Sequence, residues 1–147
     1  MELPTRSVLT IEVAKKVADA AKTYADGLGH PDLIVVIVDP GGHLLYLERG
    51  DGVAWGTIDV ALLKAQTAVR FGQPSKHLET QLIEGGMTGL VNLPGVACFE
   101  GAVPLRTDDG TIVGAISISG LTKELDGEIA QSGADALLQM LSRSAGV

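Results

Sequence analysis

The chain is 147 residues long, 46% apolar and 20% charged, which is the make-up of one folded domain with a real core rather than of a disordered segment. Its 18 Asp and Glu against 11 Lys and Arg leave it acidic, which argues against nucleic acid or an anionic membrane as partner. Aromatic residues are only 3%, too few for a base-stacking platform, and the lone cysteine, Cys98, rules out an intrachain disulfide or thiolate cluster.

The opening MELPTRSVLT has neither the basic start nor the apolar stretch of a secretory signal, and the longest apolar run, near Leu33 to Val38, is too short to span a bilayer. The expectation is a cytoplasmic protein of one domain, residues 1–147.

Thr10 to Leu28 predicts a helix, with Val13, Val17, Ala21, Tyr24 and Leu28 on one face and Thr10 as its cap. Leu33 to Asp39 is a continuous Val- and Ile-rich run that suits a strand buried on both sides. Pro40-Gly41-Gly42 turns the chain into a second strand, His43 to Arg49, and Gly50-Asp51-Gly52 breaks it. Trp55 to Phe71 reads as a helix ended by Gly72, Gln73 and Pro74. Ser75 then caps a short helix, His77 to Glu84. Met87 to Val96 reads as a loop. Ala97 to Phe99, Val103 to Thr107 and Thr111 to Ser119 read as strands, the last two joined by the turn Asp108-Asp109-Gly110. A final helix covers Lys123 to Ser142. Two hairpins among helices imply an antiparallel sheet with helices packed on it.

Phosphate-loop, dinucleotide, nucleophile-elbow and paired-cysteine motifs are absent, and the histidines at 30, 43 and 77 share no metal-ligand spacing. The candidates are therefore single polar residues. His43, after the glycine turn, reads as an axial haem ligand, a metal ligand or an acid/base group, or as a solvent-facing edge residue. Asp39 reads first as a turn-shaping carboxylate. Glu48, Arg49 and Asp51 cluster at a strand end. There Arg49 can clamp a ligand carboxylate or pair with Asp51 or Asp59. Lys64, beside an apolar helix face, binds an anion, serves as a base or snorkels to water. Glu100, in an apolar run, is either a buried proton-transfer group or an outward strand residue. Cys98 reads as a small buried hydrophobe. The Gly120–Thr122 helix start offers free N–H groups to an anion.

Four segments carry a resemblance: VIVDPGGHLLYLERGDG (36–52), IDVALLKAQTAVRFGQPS (58–75), LPGVACFEGAVPL (93–105) and GTIVGAISISGLTKELDGEIAQSG (110–133). In order and spacing the chain resembles the GlcG/HbpS-like family. This is also called the haem-degrading domain family and includes the C-terminal domain of PduO-type cobalamin adenosyltransferases. Asp39, Gly42, Asp51, Asp59, Lys64 and Phe71 match recurring positions, and His43 and Arg49 match a frequent histidine and arginine. Gly50-Asp51-Gly52 stands where the family has Met-Asp-Gly, and Leu125-Asp126 where it tends to have Gln-Asp. The resemblance implies an α/β (α+β) fold, profilin-like, with a five-stranded antiparallel sheet between helices on both faces. It also implies a homo-oligomer built from dimers, and haem binding in some members.

Two functions follow. One is a small-molecule-binding protein holding haem or another anionic ligand between sheet and helix, with His43 or His77 on iron and with Arg49, Lys64, Glu48, Asp51 and Thr122 around the ligand. The other is a cofactor-independent tautomerase, isomerase or lyase acting on a small carboxylate or carbonyl compound. In that enzyme Glu100 or His43 moves the proton, and Lys64 polarises the substrate.

Overall fold

The Val–Ile run at 34–38 is buried at every position, so it needs protein on both sides. It becomes the second strand of a four-stranded antiparallel sheet in the computed structural model, which describes residues 1–146. The elements are α1 (Ile11–Gly27), β1 (Ile34–Val38), β2 (Leu44–Arg49), α2 (Thr57–Phe71), α3 (Ser75–Ile83), β3 (Ala102–Arg106), β4 (Ile112–Ser119) and α4 (Lys123–Ala145). A 3₁₀ turn at Thr88–Asn92 interrupts the expected loop. The strand order is β2-β1-β4-β3, with Ile34 opposite both Arg49 and Ser119, and Ala102 opposite Ser117.

The pleat sends alternate residues to two cores. Val35, Ile37, Leu105, Ile116 and Ile118 pack with α1 and α4. Ile34, Val36, Val38 and Ala115 pack with Ala61, Ala65 and Ala68 of α2. Small residues let these helices come close. A side chain on Gly133 of α4 would sit 2.7 Å from Ile116 Cδ1 and 3.4 Å from Ala21 Cβ of α1. The mixed fold with helices on both faces of an antiparallel sheet is as expected. The number of strands is not.

The sheet has four strands, not five. Ala97 to Phe99 forms no strand because side chains take up the amides of this stretch. Ala97 N–H donates to Thr67 Oγ1 at 2.9 Å, and Glu100 N–H donates to Glu79 Oε2 at 2.8 Å. The outer edge of β3 is closed as well. Ser75 Oγ accepts from Ala102 N–H at 3.0 Å and donates to Ala102 C=O at 3.4 Å, and Pro104, two residues on, has no N–H to offer. Ser75 is thus no cap for α3. It is fully buried, it opens the helix itself, and Pro74 precedes it. α2 begins at Thr57, which leaves Trp55 in the loop before it, 81% exposed. Thr10 and Thr122 do cap α1 and α4, accepting from Val13 and Leu125 N–H at 3.3 Å each. Among the described residues no helix is long and apolar enough to cross a membrane.

Candidate functional site

The inward face of α2 is alanine at 61, 65 and 68, so the helix lies low on the sheet and the side chain at 64 is almost wholly covered. Lys64 is 2% exposed. Its Nζ donates to Ile118 C=O at 2.6 Å, to Glu100 C=O at 3.3 Å and to Asp126 Oδ2 at 3.3 Å, one acceptor for each of its three protons. Asp126, in the first turn of α4, is buried too, and its Oδ1 accepts from Leu121 N–H at 3.2 Å. Burial lowers the Lys64 pKa against the opposing pull of Asp126. It raises the Asp126 pKa, with Lys64 opposing. Gly101 is required beside this pair: its φ is +136°, and a Cβ there would collide with Lys64 Nζ.

The pair extends into a charged cluster. Glu79 of α3, 7% exposed, accepts from Lys123 Nζ at 2.5 Å as well as from Glu100 N–H. Lys76 Nζ lies 3.5 Å from Glu100 Oε1. Glu100 is therefore held at three points: carbonyl on Lys64, amide on Glu79, carboxylate beside Lys76.

Several hollows border this cluster. A charged cleft of about 200 Å³ is lined by Lys76, Glu79, Glu84, Glu100, Lys123 and Glu124 among others. An apolar pocket of about 380 Å³ lies between Leu63 of α2, Leu82 and Ile83 of α3, Leu90 and Val91 of the 3₁₀ turn, and Val96, Ala97 and Phe99, with Cys98 and Glu79 in its wall. A third, about 330 Å³, opens at the start of α2 and is lined by Thr57, Val60, Lys64, Phe99, Ser119 and Asp126 among others. Phe99 borders both of the last two.

The other residues singled out from sequence lie elsewhere. The His43 imidazole is 82% exposed on the β1–β2 turn, with Nδ1 3.3 Å from Asp39 Oδ1. Asp39 accepts from His43 and Gly41 N–H at 2.9 Å each, and these bonds hold its carboxyl below the usual range. Glu48 faces α1, where Tyr46 O–H donates to it at 2.5 Å and Lys22 Nζ at 2.9 Å. Arg49 faces the other way and pairs with neither Asp51 nor Asp59. Thr122 is spent on its cap. The structure brings Lys64 and Glu100 together, but the proposed acid/base set Glu100, His43 and Lys64 lines no common hollow.

Asp126, Glu79 and Lys123 were not among the sequence candidates. Asp126 had a readable signal: with Ala130, Gly133 and Leu137 it falls on the buried stripe of α4, where an acid needs a partner. Glu79 likewise shares the buried side of α3 with Ser75 and Leu78. Among the described residues no group of three or more His, Cys, Asp and Glu side chains is placed to hold a metal ion.

Residues 9–135 match the family described as haem degrading protein HbpS-like. The chain belongs to this HbpS-like family. It is 31% identical over 117 residues to protein GlcG of Escherichia coli (strain K12), covering 80% of this chain and 85% of GlcG. The crystal structure of HbpS superposes with a TM-score of 0.82 at 33% identity, over 92% of this chain and 94% of HbpS. The crystal structure of a PduOC:heme complex superposes with a TM-score of 0.78 at 26% identity, over 88% of this chain and 95% of that one.

Proposed function

We propose that this HbpS-like protein binds a small molecule, haem or a ligand of like chemistry, in the apolar pocket between α2, α3 and the Val96–Phe99 segment. The pocket itself carries the reading. It holds about 380 Å³, is open to solvent and is walled mostly by aliphatic side chains and Phe99. Such a wall suits one face of a macrocycle, at about 25 cal/mol for each Å² of apolar surface withdrawn from water. The similar PduOC structure, solved with haem, supports the same choice.

Haem, when bound, would supply an iron for a protein donor to ligate. Of the side chains in this pocket, Cys98 is the soft donor, since the Glu79 carboxylate is engaged by Lys123 and Glu100. Burial raises the Cys98 thiol pKa, so ligation there has to draw the proton off. His43 does not line this pocket. It remains the candidate iron ligand for haem bound at the β1–β2 turn. The binding unit in this reading is a homo-oligomer built from dimers, checked by light scattering, and its setting is the cytoplasm.

The deciding experiment is a haemin titration followed by absorption on wild type, Leu63→Gln, Cys98→Ser and His43→Ala. The expected result is a saturable Soret shift at about one haem per chain, weakened in Leu63→Gln and retained in His43→Ala. A shifted band position in Cys98→Ser identifies the sulfur as ligand. Loss in His43→Ala with Leu63→Gln unaffected moves the site to the turn. No saturable spectrum in wild type removes haem.

A further inference from the structure

The hollow at the start of α2 has a chemistry distinct from the apolar pocket beside it. α2 is 15 residues long and no side chain caps its N-terminus. Thr57 and Ile58 N–H donate to the Ala54 and Trp55 carbonyls at 3.1 and 3.3 Å, which leaves the Asp59 and Val60 amides for the hollow that Thr57 and Val60 line. The Asp59 carboxylate of the same turn is exposed and does not line it.

A second observation is independent of the helix. Ser119 is only 3% exposed, yet it lines the same hollow, and no described residue hydrogen-bonds its hydroxyl. Two residues deeper on the same face of β4, the Ser117 hydroxyl is buried without a partner but lies outside the hollow. The Ser119 hydroxyl is left as an unengaged donor at the wall of the hollow.

The floor of the hollow decides the kind of group. Lys64 and Asp126 both line it: Lys64 has its three protons assigned to Asp126 and two carbonyls, and the Asp126 carboxylate accepts from Lys64 and from Leu121 N–H, so neither a free cation nor a free anion waits there. A phosphate, with its larger charge, would lack a counter-ion, and an ammonium would face the positive end of a helix. A carboxylate, with one delocalised charge and two acceptor oxygens, matches amide and hydroxyl donors. Val60 and Phe99 offer an apolar wall to the rest of the molecule.

We propose that this hollow binds a carboxylate group, held by the Asp59 and Val60 amides at the start of α2 and the hydroxyls of Ser119 and Thr57. The group belongs either to a compact free acid or to a side arm of haem lying in the adjoining pocket, since Phe99 borders both. The free-acid form stands without the haem reading.

The test is a titration of the haem-free protein with sodium isobutyrate, followed in ¹H–¹⁵N spectra. Isobutyramide is the neutral control, and sodium chloride matches ionic strength. Saturable shifts are expected at the amides of Asp59, Val60, Ser119 and Gly120, with affinity about tenfold weaker in Ser119→Ala or Thr57→Val. No localised shift overturns the proposal. So does an equal response to isobutyramide, or binding indifferent to both substitutions. Comparing haemin with its dimethyl ester then separates the sources. A weaker ester assigns the carboxylate to haem, while equal affinity, or no haemin binding at all, assigns it to a free acid.

Discussion

Lys64 is the residue whose role changes most between sequence and structure. From the sequence it has three readings: anion binder, base, or snorkelling side chain. Its fate depends on Asp126, 62 residues away, and on carbonyls of two other segments, none of which a local pattern reveals. Removing one partner of the pair strands a buried charge. Lys64→Met and Asp126→Asn are each expected to lose about 3–5 kcal/mol in urea unfolding, and Lys64→Met/Asp126→Leu to regain more than half of that. If the double variant is no more stable than the singles, the pair is not what holds this region. Gly101→Ala is expected to lose about 3 kcal/mol or more in the same assay, because φ is +136° and the added methyl meets Lys64. At the opposite layer, the Tyr46 hydroxyl first and Lys22 second lower the Glu48 pKa from its ordinary 4.5. A carboxyl with a lower folded than unfolded pKa stabilises above the unfolded value and loses that contribution as pH falls through the folded one. The fall in Tm on going from about pH 5 to about pH 3 is therefore expected to be shallower in Glu48→Gln than in wild type.

The helices and most strands were legible because their signals are local. The stripe Val13, Val17, Ala21 marks α1, the unbroken run 34–38 marks β1, and the Asp108-Asp109-Gly110 turn joins β3 to β4, with Gly110 at φ +86°. The error at Ala97 to Phe99 has a physical cause. These residues look like a strand, but Thr67 and Glu79 occupy the amides that a neighbouring strand would need. In the sequence Ser75 reads as the cap of a short helix. Here its hydroxyl seals the edge of the sheet instead. Ser75→Ala leaves a buried Ala102 N–H without a partner, and the expected loss is about 1–3 kcal/mol by chemical denaturation. A change within error would mean that water or the backbone readily replaces the hydroxyl. The candidate site was legible only in part. Lys64 and Glu100 were named and do meet, while Glu48 and Arg49, adjacent in sequence, point to opposite faces of the sheet because side chains alternate along a strand.

At the scale of the whole molecule, the sole tryptophan reports little about folding. Trp55 is 81% exposed in the loop before α2, so its surroundings are already mostly water. Unfolding is expected to abolish the far-ultraviolet circular dichroism of the four helices while moving the emission maximum only slightly. A large red shift on unfolding would show that something covers Trp55 in solution, a second copy of the chain included. The single cysteine has the opposite property. Cys98 lies in the wall of the apolar pocket, and burial makes its thiol harder to ionise. Alkylation by iodoacetamide should be sluggish near neutrality and quicken in alkaline buffer. The chain thus comes with its own occupancy gauge. Any compound that fills the pocket, coloured or colourless, with or without iron, should slow the uptake of a single label whose mass can be weighed on the intact protein.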